Sequence, residues 1–535
     1  MSALLGVVSL LVALGVWALA SPVGATPDED YHLVSIWCGG GEDDGTCEDG
    51  DTAGSREVPR SIREAACFAF KSDVSAQCQV GAFADADPTL VETTRGNFEG
   101  DYPPVFYFLM HLFVGTDPSV SVVVMRLVNA LLFVALGAAT AVLAPAGLRR
   151  AVVLAFTVTS VPFGLFLLPS VNPSSWAIMS VPFAFVSLAA FLRAEGRGRT
   201  VALGALAGLS VLMGSGARSD AALYLVLAIA AAVLMAGRFR RADLLRLAFA
   251  GVLAVGAATS FLTAGQSSAV EGARETPFTW KGFVDLLVSV PSLWQGNFGT
   301  WGLGWLDTGM PPMVHVVGWA VFAGALLVAL GGRGTRWGLA VGAVAGAVLV
   351  VPTYIQYVSD VPVGAGVQPR YILPLLVLLV TAAAARVRGA AVRLSPAQRW
   401  SVVLGLGLTN AVALHYNLRR YVTGTDVATL DLDADLEWWW GLPIGPQGTW
   451  AVGTVAFVLA LGLITADLAR PAAAVDVVAL RRSARRGPAV TAAEPGHASR
   501  TVVVADLESV GDGRAERRPT ASSDPRSSGS DLRNP

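Results

Sequence analysis

Stretches of about 20 apolar residues recur along the chain, and that length is what a helix rising 1.5 Å per residue needs to cross roughly 30 Å of hydrocarbon. The runs lie near 3–20, 119–143, 151–168, 175–192, 200–216, 220–236, 245–263, 313–331, 337–355, 371–386, 401–417 and 449–467. They predict an all-α polytopic membrane protein with about twelve transmembrane helices embedded in the lipid bilayer. Composition agrees, since 53% of the 535 residues are hydrophobic and only 15% are charged, against about 25% charged in soluble domains. A formal net charge of −2, segregated by loop, gives no argument for nucleic acid.

Alternate loops hold the arginines: Arg149 and Arg150; Arg193, Arg197 and Arg199; Arg238, Arg240 and Arg241; Arg333 and Arg336; Arg386, Arg388, Arg393 and Arg399. The positive-inside rule makes these loops cytoplasmic. The intervening segments 22–118, 264–312, 356–370 and 418–448, richer in Asp, Trp and Pro, then face outward. The chain divides into a first helix (1–21), a large extracytoplasmic first loop (22–118), a polytopic domain (119–467) and a tail (468–535) of polar, charged composition that reads as disordered and cytoplasmic. Val23-Gly24-Ala25 also resembles a signal-peptide cleavage site, and cleavage would leave eleven spans. The lack of Lys or Arg before the apolar core favours a retained helix. Richness in Ala, Gly, Val and Arg suggests a bacterial plasma membrane protein from a GC-rich genome.

All four cysteines, Cys38, Cys47, Cys67 and Cys78, fall in the first outward segment. Disulfides are expected there, with three connectivities open, and the spacings lack the tight C-x-x-C of a zinc site. The acidic stretches Glu42-Asp43-Asp44 with Glu48, Asp49 and Asp51, and Asp431, Asp433, Asp435 with Glu437, miss the EF-hand spacing and read as solvated loops.

Chemistry concentrates at the outer helix ends. Thr26-Pro27-Asp28-Glu29-Asp30-Tyr31-His32 follows the first span. Thr26 and Glu29 fit a capping box, which makes Glu29 a helix starter, while a helix would set Asp28 and His32 on one face to hold or deprotonate a hydroxyl. Asp101 through His111, with Tyr102, Pro103, Pro104 and Tyr107, reads as an interfacial helix flanking a lipid entrance. Arg126 lies within the second span, where insertion costs about 2.5–3.5 kcal/mol unless it snorkels or is paired with a carboxylate or a lipid phosphate. Pro169-Ser170-Val171-Asn172-Pro173, Arg218-Ser219-Asp220 and Gln368-Pro369-Arg370-Tyr371 put further polar groups at outer helix ends, and an outward Arg370 suits a phosphate headgroup. Alternation of Trp and Gly from Trp294 to Trp305, with Asp307 beyond, suits an interfacial belt or a sugar-stacking platform. No Walker loop, dinucleotide fingerprint, H-E-x-x-H or G-x-S-x-G occurs.

Five of these pieces, in order, resemble an uncharacterised family of bacterial polytopic membrane proteins that is itself similar to the GT-C glycosyltransferases: Pro27-Asp28-Glu29 with His32, Tyr102-Pro103-Pro104 with Tyr107, Arg126-Leu127-Val128-Asn129, Gly304-Trp305-Leu306-Asp307-Thr308 with Pro311, and Arg370-Tyr371 with Leu373-Pro374. The resemblance implies a GT-C-like fold and a cavity at the outer leaflet where a polyprenyl-phosphate sugar lipid donates its glycosyl group to an envelope glycan, lipid or exported protein. On it Asp28, Glu29 and His32 are the catalytic candidates and Arg126 and Arg370 bind the donor phosphate. Tyr102, Tyr107, Asn129, Asn172, Trp305, Asp307 and Tyr371 line the substrate site. Because the leaving group is a lipid phosphate, a divalent metal such as Mg or Mn is optional, and the resemblance implies no other cofactor. The cysteine-bearing insertion at about 38–78 departs from the family pattern. Two other classes compete: a transporter or flippase of a lipid-linked precursor, which should show paired interrupted helices, and a non-catalytic envelope-assembly protein, which would tolerate loss of both carboxylates.

Overall fold

The computed structural model describes residues 2–41, 45–83, 89–237, 239–264, 277–332, 334–360, 363–364, 367–387 and 389–470, and helices occupy all twelve apolar runs. Among the described residues ten helices are long and apolar enough to cross a membrane. The two others differ for physical reasons. Pro369–Ala384 has 16 residues, all buried except Tyr371; at about 24 Å it is short for a bilayer, but protein rather than lipid surrounds it. Pro396–Val422 carries inward polar groups that lower its hydropathy and tie it to the first helix, α1 (Ser2–Leu19): Asn410 Oδ1 accepts from Trp17 Nε1 at 3.0 Å, and Asn417 Nδ2 donates to the Ala20 carbonyl at 2.9 Å.

Ser174–Phe191 is buried at all 18 positions. Packed around it are Arg197–Ser215, Ser219–Ala236, Pro369–Ala384 and Pro118–Leu143. α1 lies against Pro446–Ile464, where Gly453 permits close approach: a Cβ there would sit 2.5 Å from Val16 Cγ1. By contrast Leu244–Thr263 buries only Ala250 and Ala257, as suits a helix facing lipid.

The described arginines of the alternate loops lie at one end of the bundle, where several bond carbonyls left open at helix C-termini. Arg193 Nε donates to the Ala236 carbonyl at 2.6 Å and Arg386 Nη2 to that of Ala329 at 2.9 Å, while Arg246, in the first turn of Leu244–Thr263, donates from Nη2 to that of Ala194 at 2.9 Å. Arg149 and Arg150 share Asp467 at 3.0 and 3.2 Å. Arg238, Arg333, Arg388, Glu42-Asp43-Asp44 and the tail from 471 lie outside the described residues.

At the opposite end, the described residues of 22–118 fold into a small layer over the helices, which adds a few short strands to an otherwise all-α membrane protein. Beside α2 (Glu29–Trp37) lies a three-stranded antiparallel sheet, β1 (Glu48–Asp49), β2 (Arg56–Pro59) and β3 (Leu90–Thr93), with Val58 opposite Val91. Strands of two to four residues are too short to show an alternating pattern, and so small a sheet needs staples. The four cysteines supply them as Cys38–Cys47 and Cys67–Cys78, which selects one of the three connectivities. Val105–His111 buries Phe106, Tyr107 and Met110 and exposes Phe108 and Leu109.

Candidate functional site

Asp28 enters α2 with a left-handed backbone, φ 57°, which a short polar side chain tolerates. Asn172 holds this elbow: its Nδ2 donates to the Pro27 carbonyl at 2.8 Å and its Oδ1 accepts the Ser174 N–H at 2.9 Å. Half of the capping box forms, with the Thr26 N–H donating to Glu29 at 2.9 Å while the Thr26 hydroxyl makes no return bond. Glu29 is fully buried, and both its oxygens lie 3.1 Å from Arg126 Nη2. Arg126 also donates to the carbonyls of Ala18, Ser21 and Pro22 at 2.9, 2.6 and 2.7 Å, closing the C-terminal end of α1. It is 1% exposed, so it is paired rather than snorkelling.

The neighbouring carboxylate has a different setting. Asp28 meets Arg370 Nη2 on one side and Arg95 Nη2, at 3.2 Å, on the other. Arg370 stands in the first turn of Pro369–Ala384, also donates to Gln368 Oε1 and to the Tyr371 hydroxyl at 3.0 Å, and leaves its buried Nε without a partner. Over the Tyr371 ring, 4.4 Å from its centroid, lies the Arg218 guanidinium, held by Asp220 through two bonds of 2.9 Å. Tyr102 sits 5.5 Å beneath the same guanidinium and 5.3 Å from the His32 ring. His32 Nδ1 is 2.9 Å from the Tyr107 hydroxyl.

Burial by itself would raise the Asp28 carboxyl, but Arg370 foremost, with Arg95, outweighs it and holds the group below its ordinary 3.8. For His32 burial dominates and pushes the imidazole down to about 3, with Arg218 and Arg370 adding to the effect and Asp28 opposing it. Near neutral pH the elbow therefore presents an ionised carboxylate beside a neutral imidazole.

Asp28 borders an open groove of about 630 Å³ whose lining includes Asp30, Arg63, Arg95, Phe70 and Trp305. Trp305 Nε1 donates to the Gly24 carbonyl at 2.9 Å. Asp307 turns away from the groove and pairs with buried Arg420 at 2.9 Å; Arg420 in turn donates to the carbonyls of Phe68 and Val74 at 2.9 and 2.6 Å. Among the described residues no group of three or more His, Cys, Asp or Glu is placed to hold a metal. Asp28 and Asp30 both bond Arg95, at 3.2 and 3.0 Å, so a guanidinium already supplies the positive charge a cation would bring.

Of the positions the sequence singles out, Asp28, His32, Tyr102, Tyr107, Arg370 and Tyr371 come together, with Trp305 on the groove wall. Glu29, Arg126, Asn172 and Asp307 stand behind them in buried bonds. Asn129 is further off: fully buried, it donates to the Ser170 carbonyl at 2.8 Å and accepts from Trp176 Nε1 at 2.9 Å. Arg95 and Arg420 escaped the sequence reading. Arg95 sits in an irregular loop with no pattern to mark it, whereas Arg420 carried the same signal as Arg370, an arginine at the end of a span opposite the arginine-rich loops.

No curated protein and no solved structure matches this chain. The family described as "Predicted membrane protein (DUF2142)" matches residues 11–379, which takes in α1, the Asp28 elbow and Arg370, and with more than half of its length covered this chain belongs to that family of membrane proteins.

Proposed function

We propose that the protein is a membrane glycosyltransferase of GT-C-like architecture. It moves a sugar from a polyprenyl-phosphate carrier to a hydroxyl of an envelope acceptor, at the end of the bundle that bears residues 22–118. That end faces outward on this reading, because the opposite end gathers the arginines. The observation that carries the reading is a carboxylate, Asp28, held between Arg370 and Arg95 at the edge of an open groove.

An arginine fork suits phosphate oxygens, so a donor phosphate arriving at Arg370 competes with Asp28 for it. Relieved of that cation, the carboxylate gains proton affinity. It then takes the proton of the acceptor hydroxyl as that oxygen attacks the anomeric carbon. The bond from that carbon to the phosphate oxygen breaks, and the lipid phosphate departs against Arg370, with Arg218 behind Tyr371 adding positive field. Neutral His32, bonded to Tyr107, keeps the α2 face in place. General base action contributes typically 10²–10⁴ in rate. Glu29 and Arg126 act on this reading as the frame of the elbow rather than as reacting groups.

The test is transfer from a panel of radiolabelled polyprenyl-phosphate sugars by the protein in nanodiscs. Incorporation into a hydroxyl acceptor supports the reading. Movement of the lipid across the bilayer with no transfer from any donor would make the protein a flippase instead.

A further inference from the structure

Phe70 is 74% exposed and adopts φ 61°, the left-handed region in which a bulky aromatic residue is an outlier. Neither property favours folding by itself, so the surrounding loop must impose both. It is held at several points. The disulfide Cys67–Cys78 closes it, Arg420 takes the carbonyls of Phe68 and Val74, and the Thr425 N–H donates to the Ser72 carbonyl at 2.8 Å. The Phe70 ring stands against the Trp305 ring, centroids 5.2 Å apart and planes at 65°, and both rings line the groove that reaches Asp28.

Asp30, Arg63, Glu64 and Arg95 supply the charged part of that lining, beside the small residues Ala66, Cys67 and Ala69. Arg95 is shared by Asp28 and Asp30, and Glu64 pairs with Arg60 at 3.0 Å, so the groove offers both donors and acceptors rather than a field of one sign. An acyl chain would strip water from those charges and offer their remaining donors and acceptors no hydrogen bond. A sugar ring, with an apolar C–H face and a rim of hydroxyls, satisfies both the aromatic corner and the polar floor. We infer that Phe70 and Trp305 form a carbohydrate subsite, that the acceptor is a neutral glycan, and that the Cys67–Cys78 loop exists to present Phe70 to it. The acceptor role rests on the glycosyl-transfer reading; the subsite stands on the groove alone.

The experiment titrates the full-length protein in nanodiscs, without donor, with neutral hexose and pentose oligosaccharides, followed by tryptophan fluorescence and saturation-transfer NMR. Saturable binding is expected, weakened roughly tenfold in Phe70→Ala and restored in Phe70→Trp. Because the side chain is exposed, these variants should remain folded and monodisperse. Cys67→Ser with Cys78→Ser should weaken binding while Phe70 is still present. Glycan binding within twofold of wild type in Phe70→Ala overturns the inference, as does loss in that variant of adhesion to phospholipid vesicles with no saccharide binding by the wild type. Wild-type glycan binding by Phe70→Ala alongside loss of transfer in Asp28→Asn would sink the subsite and leave the glycosyl-transfer reading standing. Glycan binding through Phe70 with no donor turned over would sink the acceptor role and leave the subsite.

Discussion

Replacing Glu29 with Ala strands the Arg126 guanidinium among buried groups, since the two side chains are only 0% and 2% exposed. Removing one partner of a buried pair costs about 3–5 kcal/mol. Three carbonyls, those of Ala18, Ser21 and Pro22, remain on Arg126 and soften the loss toward the lower figure. The Thr26 N–H meanwhile loses its acceptor, which adds about 1 kcal/mol and brings the expected cost to about 4 kcal/mol. Adding Arg126→Met removes the stranded charge, so the double variant should lose about 1–3 kcal/mol less than the two single variants summed. Asp28→Asn, at a side chain 34% exposed, should stay within about 1 kcal/mol of wild type. Equilibrium unfolding by SDS in mixed micelles measures the four variants beside wild type. A Glu29→Ala variant as stable as wild type, or strict additivity in the cycle, would refute the assignment of this pair as the frame of the elbow.

Arg370→Lys keeps the charge but loses the two-pronged fork, so the KM for the lipid-phosphate donor should rise about tenfold in steady-state assays while the fold survives. For His32 the folded value of about 3 lies below the unfolded value of about 6.5, so the unfolded chain protonates first as pH falls. Stability should be full above pH 6.5 and decline toward pH 3, with Asp28 adding a loss of the same sign only below 3.8, and His32→Gln should flatten the upper part of that slope in thermal melts. Arg420→Met leaves Asp307 buried without its partner and frees the Phe68 and Val74 carbonyls; hydrogen exchange should show residues 67–78 and 303–308 losing protection together.

Each of the twelve apolar runs coincides with a described helix, ten of them long and apolar enough to cross a membrane, because hydropathy in lipid is a strong, local signal. The arginine-rich loops were equally legible, and they do meet at one end of the bundle. The three short strands were not, since strands of two to four residues carry no alternation of their own and β3 finds β2 only through long-range register. At the elbow the sequence offered Asp28 and Glu29 as equals. What separates them is a single left-handed residue and the reach of Arg126 across 97 positions, neither of which a linear pattern records. Arg370 stood out because an arginine at that end breaks the charge bias. Arg95, in an exposed polar loop, broke nothing and became visible only when the fold brought it to Asp28. Asn129 and Asp307 neighbour the motifs that mark the site, but both are engaged in the protein's own buried bonds, to Ser170 and Trp176 and to Arg420.

The claim on which the account turns is that the Asp28 carboxylate accepts a proton during glycosyl transfer. The most direct measurement is the single-turnover rate with saturating polyprenyl-phosphate sugar and a hydroxyl acceptor, comparing wild type with Asp28→Asn after unfolding assays have shown both to be folded. A fall of about 10²–10⁴ with donor binding retained is the expected result. Transfer by Asp28→Asn at the wild-type rate would contradict it.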